Sequence, residues 1–171
     1  MKRAVRLSLV LGILGASGVA TAEQPPAFTV QVDPLTTALG FVHVQIERRI
    51  TPRVSIYAGP HAKLFRGILA EEGEDQTGVG VEVGVRYFVL ARHHAPAGLW
   101  VQARGVIARV ALDGESEPGG YVSALVGYTH IFGRRWVLAG GLGIQYLHYS
   151  VGGVGTEGVL PAAHTTVGFA F

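Results

Sequence analysis

Apolar and polar positions alternate along most of this chain with a period of two. The pattern is clearest at Gly78–Ala91, where Val79, Val81, Val83, Val85, Tyr87 and Val89 take the odd positions. The even positions hold Gly80, Glu82, Gly84, Arg86, Phe88 and Leu90. Successive side chains of a strand point to opposite faces, so one face is a wall of branched apolar groups. The other carries glycine, one carboxylate and one guanidinium. The same alternation predicts a short first strand at Phe28–Asp33, then strands at Thr36–Arg49, Arg53–Phe65, Leu99–Leu112, Tyr121–Phe132, Trp136–Ser150 and Ala162–Phe171. No 3.6-residue apolar period occurs after the first 22 residues. The expected fold is therefore all-β, with seven long strands and one short one.

The connections alternate in length. Ile50–Pro52, Arg92–Gly98 and Gly133–Arg135 are short, whereas Arg66–Thr77, Asp113–Gly120 and Val151–Pro161 are long. Short turns on one side and long loops on the other predict an eight-stranded antiparallel up-and-down transmembrane β-barrel. The long loops collect acid (Glu71, Glu72, Glu74, Asp75, Asp113, Glu115, Glu117, Glu157), and the short turns and their flanks collect arginine (Arg48, Arg49, Arg53, Arg92, Arg134, Arg135). Oxygen ligands suit Ca²⁺ or Mg²⁺, but the acidic loops lack the ordered ligand spacing of a calcium loop. They read as solvated segments.

A soluble lipocalin-like barrel would show the same alternation turned inside out, so the makeup of the polar face decides. A water-facing surface is rich in Lys, Glu and Thr and poor in glycine, which weakens strands. Here that face is sparse and contains or borders Gly59, Gly80, Gly84, Gly127, Gly141, Gly143 and Gly168. Small residues and a few charges suit the cramped lumen of an eight-stranded barrel. The valine wall then meets lipid. Tyr87, Phe132, Trp136 and Phe171 map to the short-turn side, as an interfacial aromatic girdle would. Trp100 falls on the inward face, outside that girdle.

Composition adds the cell-envelope context. In the 171-residue chain, residues 1–22 have the form of a cleaved signal peptide: Lys2, Arg3 and Arg6, then apolar Leu7–Ala20, then Ala20-Thr21-Ala22 as the cleavage site. Residues 23–171 form one barrel domain. Removing the three basic leader residues from the total of 14 leaves 11 against 12 acidic ones, so no basic footprint for nucleic acid remains. There is no cysteine, hence no disulfide framework and no thiolate metal site. No cofactor motif and no metal-ligand spacing is visible. His93-His94 sit adjacent in a short turn, a poor arrangement for a shared ion.

The final residues, HTTVGFAF, resemble the ending that outer-membrane proteins present to the barrel-assembly machinery, with Val167, Phe169 and terminal Phe171 alternating. Over residues 30–171 the chain resembles small eight-stranded outer-membrane barrels of Gram-negative bacteria. The segments that carry the likeness are DPL with VQIERRITPRVSIYAGP, then GVGVEVGVRYF, then LAGGLGIQY. The resemblance implies periplasmic termini, a monomer, and contact with outer-membrane lipids and lipopolysaccharide.

Two constellations could carry chemistry. The first is the lumen, where Glu47 and Glu82 project inward with Arg49, Arg53, Lys63, Arg86, Arg104, His43 and His61. Buried charge must be paired, so a network plugging the barrel is expected, with Glu82 bonded to Arg86 or Arg104. A proton or solute path along these charges is the alternative. The second is His148-Tyr149-Ser150, whose outer members fall on the lipid face. They resemble the His-x-Ser pair of outer-membrane lipid A deacylases, also eight-stranded barrels. In that family an Asn follows the serine and an acid lies on the last strand. Here Val151 follows Ser150, the predicted last strand from Ala162 has no acid, and Glu157 lies in a glycine-rich loop. The expected role is therefore non-enzymatic, in envelope structure or in loop-mediated contact with lipopolysaccharide or another ligand, without a wide pore. The alternatives are a hydrolase using His148, Ser150 and Glu157, and a secreted lipocalin-like binding barrel.

Overall fold

The structure, a computed structural model, describes residues 26–64, 77–90, 95–133 and 135–171. The predicted signal segment, the acidic stretch Glu71–Asp75, the predicted turn residues Arg92–His94 and Arg134 lie outside the described residues. The described strands are β1 (Phe28–Val32), β2 (Phe41–Thr51), β3 (Val54–Lys63), β4 (Thr77–Phe88), β5 (Gly98–Leu112), β6 (Glu115–Phe132), β7 (Trp136–Val151) and β8 (Val154–Ala170). Each pairs antiparallel with its sequence neighbour, and β1 pairs with β8, closing an all-β up-and-down barrel. The two chain ends meet there: Phe28 N donates to Phe171 O at 3.2 Å, and Phe171 N to Phe28 O at 2.8 Å.

Three boundaries differ from the sequence reading. The predicted strand at Thr36–Arg49 begins only at Phe41, because Pro34–Ala38 forms a short helix, α1. Asp33 caps it, accepting from Thr36 N at 3.0 Å, and Pro34 at its start needs no amide partner. The predicted long loops at Asp113–Gly120 and Val151–Pro161 are mostly strand, with turns of two residues. Asp113 and Gly114 have φ of 50° and 89°, and Gly152 and Gly153 have 59° and 82°. Two consecutive positive φ values make the turn whose twist matches its flanking strands, which is why Asp-Gly and Gly-Gly sit there. Both hairpins consequently extend well beyond the predicted strand ends.

Face assignments follow the alternation. On β4 the outward Val79, Val81, Val83, Val85 and Tyr87 are 43–64% exposed, while Glu82, Arg86 and Phe88 are buried. The wall continues around the barrel through Ile56, Val101, Ile107, Val122, Val126, Leu142, Ile144 and Val159, all exposed. β5 passes Arg109 in continuous register, paired with Pro118. Arg109 is simply the exposed outward residue beyond Ile107, and its Nε donates to Ser116 Oγ at 3.0 Å.

Inside, glycines admit large side chains. Trp100 is fully buried and points into the lumen. A Cβ at Gly127 or Gly141 would lie 2.3 or 2.4 Å from its six-membered ring, so only glycine fits opposite it. Gly84 makes the same room for the Tyr57 ring, where a Cβ would lie 2.3 Å away. Burying one indole removes roughly 200 Å² from water, up to about 5 kcal/mol at about 25 cal/mol per Å². The glycines lower strand propensity and allow that burial. Near the loop end, Val106, Ala108, Val110, Tyr121, Tyr149 and Val151 form an apolar cluster against Phe41, Leu112 and Leu147.

Candidate functional site

The lumen carries two connected clusters. Toward the short-turn end the centre is Arg86 on β4, fully buried. Its Nη1 donates to Glu47 Oε2 at 2.7 Å, its Nε to Gln102 Oε1 at 2.6 Å, and its Nη2 to His164 Nε2 at 2.9 Å. The guanidinium lies between the Tyr57 and Trp100 rings, 5.0 Å from each centroid. Glu47 is saturated in turn: Gln31 Nε2 donates to Oε2 at 2.8 Å, Thr29 Oγ1 to Oε2 at 3.3 Å, and Ser55 Oγ to Oε1. Charge-assisted bonds of this kind are the strong ones, and every charged atom here has a partner.

His164 links this cluster to the chain start. Its Nδ1 is 3.1 Å from Asp33 Oδ2, the same carboxylate that caps α1. Its Nε2 faces Arg86 Nη2, and its Nδ1 also lies 3.0 Å from Arg104 Nη1, so His164 bridges the two clusters. Asp33 therefore holds β1, α1 and β8 together, since Thr165 Oγ1 also donates to its Oδ1 at 3.1 Å.

Toward the long-loop end the centre is Glu82. His43 Nδ1 lies 2.6 Å from its Oε2, Tyr121 OH donates to Oε2 at 3.2 Å, and Arg104 Nη1 is 3.7 Å from Oε1. Arg104 also donates to Ser123 Oγ at 3.0 Å and stacks on Tyr121 at 5.1 Å. Of the two partners expected for Glu82, Arg104 is the neighbour, and Arg86 is taken by Glu47. Lys63 is buried, with its Nζ 5.7 Å from the Phe41 ring. Arg49 lies half-buried near the short-turn end, and Arg53 is exposed there, with Nη1 3.4 Å from Tyr87 OH. Arg53 was expected inward. It sits in the tight connection between β2 and β3, where strand alternation does not extend.

Alternation alone could not reveal which lumen groups meet. The partners Asp33, His164, Gln31, Thr29, Ser55 and Gln102 are all buried and polar. His164 had a visible signal, because Ala162, His164 and Thr166 share the parity opposite Val167 and Phe169. Asp33-Pro34 was a helix-start signal of the Asp-then-Pro kind.

On the outside, the extended β7–β8 hairpin changes the second constellation. β8 begins at Val154, so Glu157 lies on the last strand, directly opposite His148 in the register. His148 Nδ1 is 3.3 Å from Glu157 Oε2, and Tyr146 OH donates to Glu157 Oε1 at 2.9 Å. An acid beside a histidine orients that histidine, as a hydrolase requires. Ser150, two residues on and on the same face, makes no hydrogen bond to His148. Tyr87, Phe132, Trp136 and Phe171 are all exposed at the short-turn end, where Trp136 also packs on Phe169 with ring centroids 4.2 Å apart.

Fold and site together define a closed eight-stranded antiparallel barrel with a charge-paired polar core and an apolar exterior. Comparison with protein-family models gives no match, and comparison with curated proteins gives none either.

Proposed function

We propose that this chain is a non-enzymatic outer-membrane barrel with its apolar wall in lipid, its termini in the periplasm and its hairpin ends toward the cell exterior. The carrying observation is an apolar exterior, bounded by aromatic residues, around a filled polar lumen. Trp136 and Tyr146 are ten positions apart on β7, with outward Leu138, Gly140, Leu142 and Ile144 between them. At roughly 3.3 Å per residue and a tilt near 40°, that span is about 25 Å, the height of an outer-membrane apolar band. Soluble monomers rarely expose contiguous apolar patches above a few hundred Å². The filled lumen supports an envelope-structural or surface-contact role and disfavours a wide pore. Terminal Phe171, paired into the β1–β8 seam, fits the segment that the barrel-assembly machinery would engage. Membrane fractionation with heat-dependent gel mobility tests this. The protein is expected in the outer-membrane fraction, with a mobility shift on boiling. Recovery of the mature chain in soluble form without detergent contradicts it and favours the lipocalin-like alternative.

One observation favours a second reading. The His148–Glu157 contact places a base and its orienting acid on the exterior, near the expected headgroup level, with Ser150 on the same face. A lipid A esterase would use them as orienting acid, base and nucleophile. Mass spectrometry of lipid A from expressing cells decides. Loss of an ester-linked acyl chain that disappears with Ser150→Ala establishes the hydrolase, and unchanged lipid A removes it.

A further inference from the structure

We propose that His43, His61 and Glu82 form a buried binding site for a divalent first-row transition metal of the Zn²⁺ type. The three come from adjacent strands β2, β3 and β4. His43 and His61 are direct cross-strand partners, and Glu82 lies two positions along β4 from Gly80, the partner of His61. All three are buried, and their ligand atoms lie within 4.8 Å of one another.

Convergence of these atoms is the central fact. His43 Nδ1 lies 2.6 Å from Glu82 Oε2 and 3.2 Å from His61 Nδ1. Two imidazole nitrogens facing each other beside a carboxylate oxygen can be served by only one shared proton, carried on His43 Nδ1. A cation at the same place gives all three a partner. In a tetrahedral site with bonds of about 2.0–2.1 Å, ligand atoms stand about 3.3–3.4 Å apart. The two nitrogens already have that spacing, and small side-chain rotations open the 2.6 Å contact.

The surroundings fit as well. A metal-ligating histidine donates its second N–H to an oriented acceptor. His61 binds through Nδ1, and its Nε2 lies 2.7 Å from Tyr149 OH, which can accept that proton. Tyr121 OH donates to the same Glu82 oxygen that faces His43 and orients it. Two imidazoles and one carboxylate suit Zn²⁺, Cu²⁺ or Ni²⁺, whereas Ca²⁺ and Mg²⁺ need six or more oxygens or retained water. A fourth position remains for water. Arg104, 3.7 Å from Glu82 Oε1, opposes a cation, so the site binds more weakly than one without it. The apolar cluster of Val106, Val110, Tyr149 and Val151 with Phe41 lies on the loop side, which makes exchange slow in the folded state. None of this depends on whether lipid or water surrounds the barrel.

The test uses the full mature chain without an affinity tag, refolded in detergent with Zn²⁺, and carrying His93→Ala and His94→Ala to remove the adjacent histidine pair. After gel filtration in the presence of EDTA, elemental analysis is expected to find about one Zn²⁺ per chain. His61→Ala and Glu82→Gln lose it. Arg104→Met, which removes the opposing charge, is expected to bind Zn²⁺ at least about tenfold more tightly, a direction that a purely structural ion pair does not predict. Co²⁺ substitution of the parent keeps the test decisive if a ligand variant fails to fold. Tetrahedral Co²⁺ absorption supports the site, and its absence overturns it. Zn²⁺ below about a tenth per chain in the parent, or equal Zn²⁺ in all variants, also overturns it.

Discussion

Glu82 and Val83 are neighbours on β4, yet they meet opposite environments. Inside, Glu82 is buried among His43, Tyr121 and Arg104, and Arg86 four residues on is enclosed by Glu47, Gln102, His164 and two aromatic rings. Outside, Val83 and Val85 face away from every polar group of the lumen and stay half-exposed. The lumen tolerates charge because partners saturate it, and the exterior tolerates exposed valine because it carries almost no charge between its rims. If the exterior meets lipid as proposed, each face is costly to alter for the opposite reason: a lost partner inside, an added charge outside.

The largest expected effect is inside. Arg86→Met or Glu47→Gln alone leaves a buried charge without its partner and is expected to cost about 3–5 kcal/mol. The double variant costs less than the two singles summed, because the two residues interact directly. Urea unfolding from lipid vesicles, followed by tryptophan fluorescence, measures this. Singles costing under about 1 kcal/mol would show that the network does not hold the lumen.

On the outer face, Val83→Arg is expected to cost about 2–4 kcal/mol in lipid vesicles. Arg109→Val, beyond Ile107 toward the rim, should stay within about 0.5 kcal/mol. Equal effects at the two positions would remove the distinction between band and rim. Smaller again is the lumen's steric limit. Gly141→Ala drives a methyl into the Trp100 ring and is expected to cost about 1–3 kcal/mol by overpacking, visible as a shifted Trp100 emission. The exterior pair is also expected to matter little: Glu157→Gln should change stability by under about 1 kcal/mol, since exposed ion pairs contribute little.

Much of this comparison was legible in the sequence, for a physical reason. A period of two fixes which side chains share a face, and the sparse, glycine-rich polar face set Glu82 and Arg86 inward and Val83 outward before any register was known. Register itself was not legible. Whether Arg86 meets Glu47 depends on how β2, β3 and β4 slide against one another, and alternation is nearly unchanged by a two-residue slide. The two long hairpins were missed because Asp113–Gly120 and Val151–Pro161 are rich in Gly, Glu, Ser and Pro, a composition that reads as loop. The Asp113-Gly114 and Gly152-Gly153 pairs were nonetheless two-residue turn signals. Recognising them would have placed Glu157 on the last strand, opposite His148. Helix α1 is too short to show a period, and only Asp33-Pro34 marked its start.

The chain's two tryptophans sit on the two faces compared above, which gives the most direct test of what surrounds the barrel. Trp136 is half-exposed on the exterior, and Trp100 is fully enclosed, its Nε1 donating to Thr129 Oγ1 at 2.9 Å. The protein is reconstituted in vesicles of brominated phospholipid, with Trp100→Phe and Trp136→Phe separating the two signals. Strong quenching of Trp136, with Trp100 left nearly unquenched, is the result expected for a lipid-facing wall. Trp136 emission unaffected by brominated lipid but quenched by iodide in the water would contradict it, and the valine wall would then belong to a soluble protein.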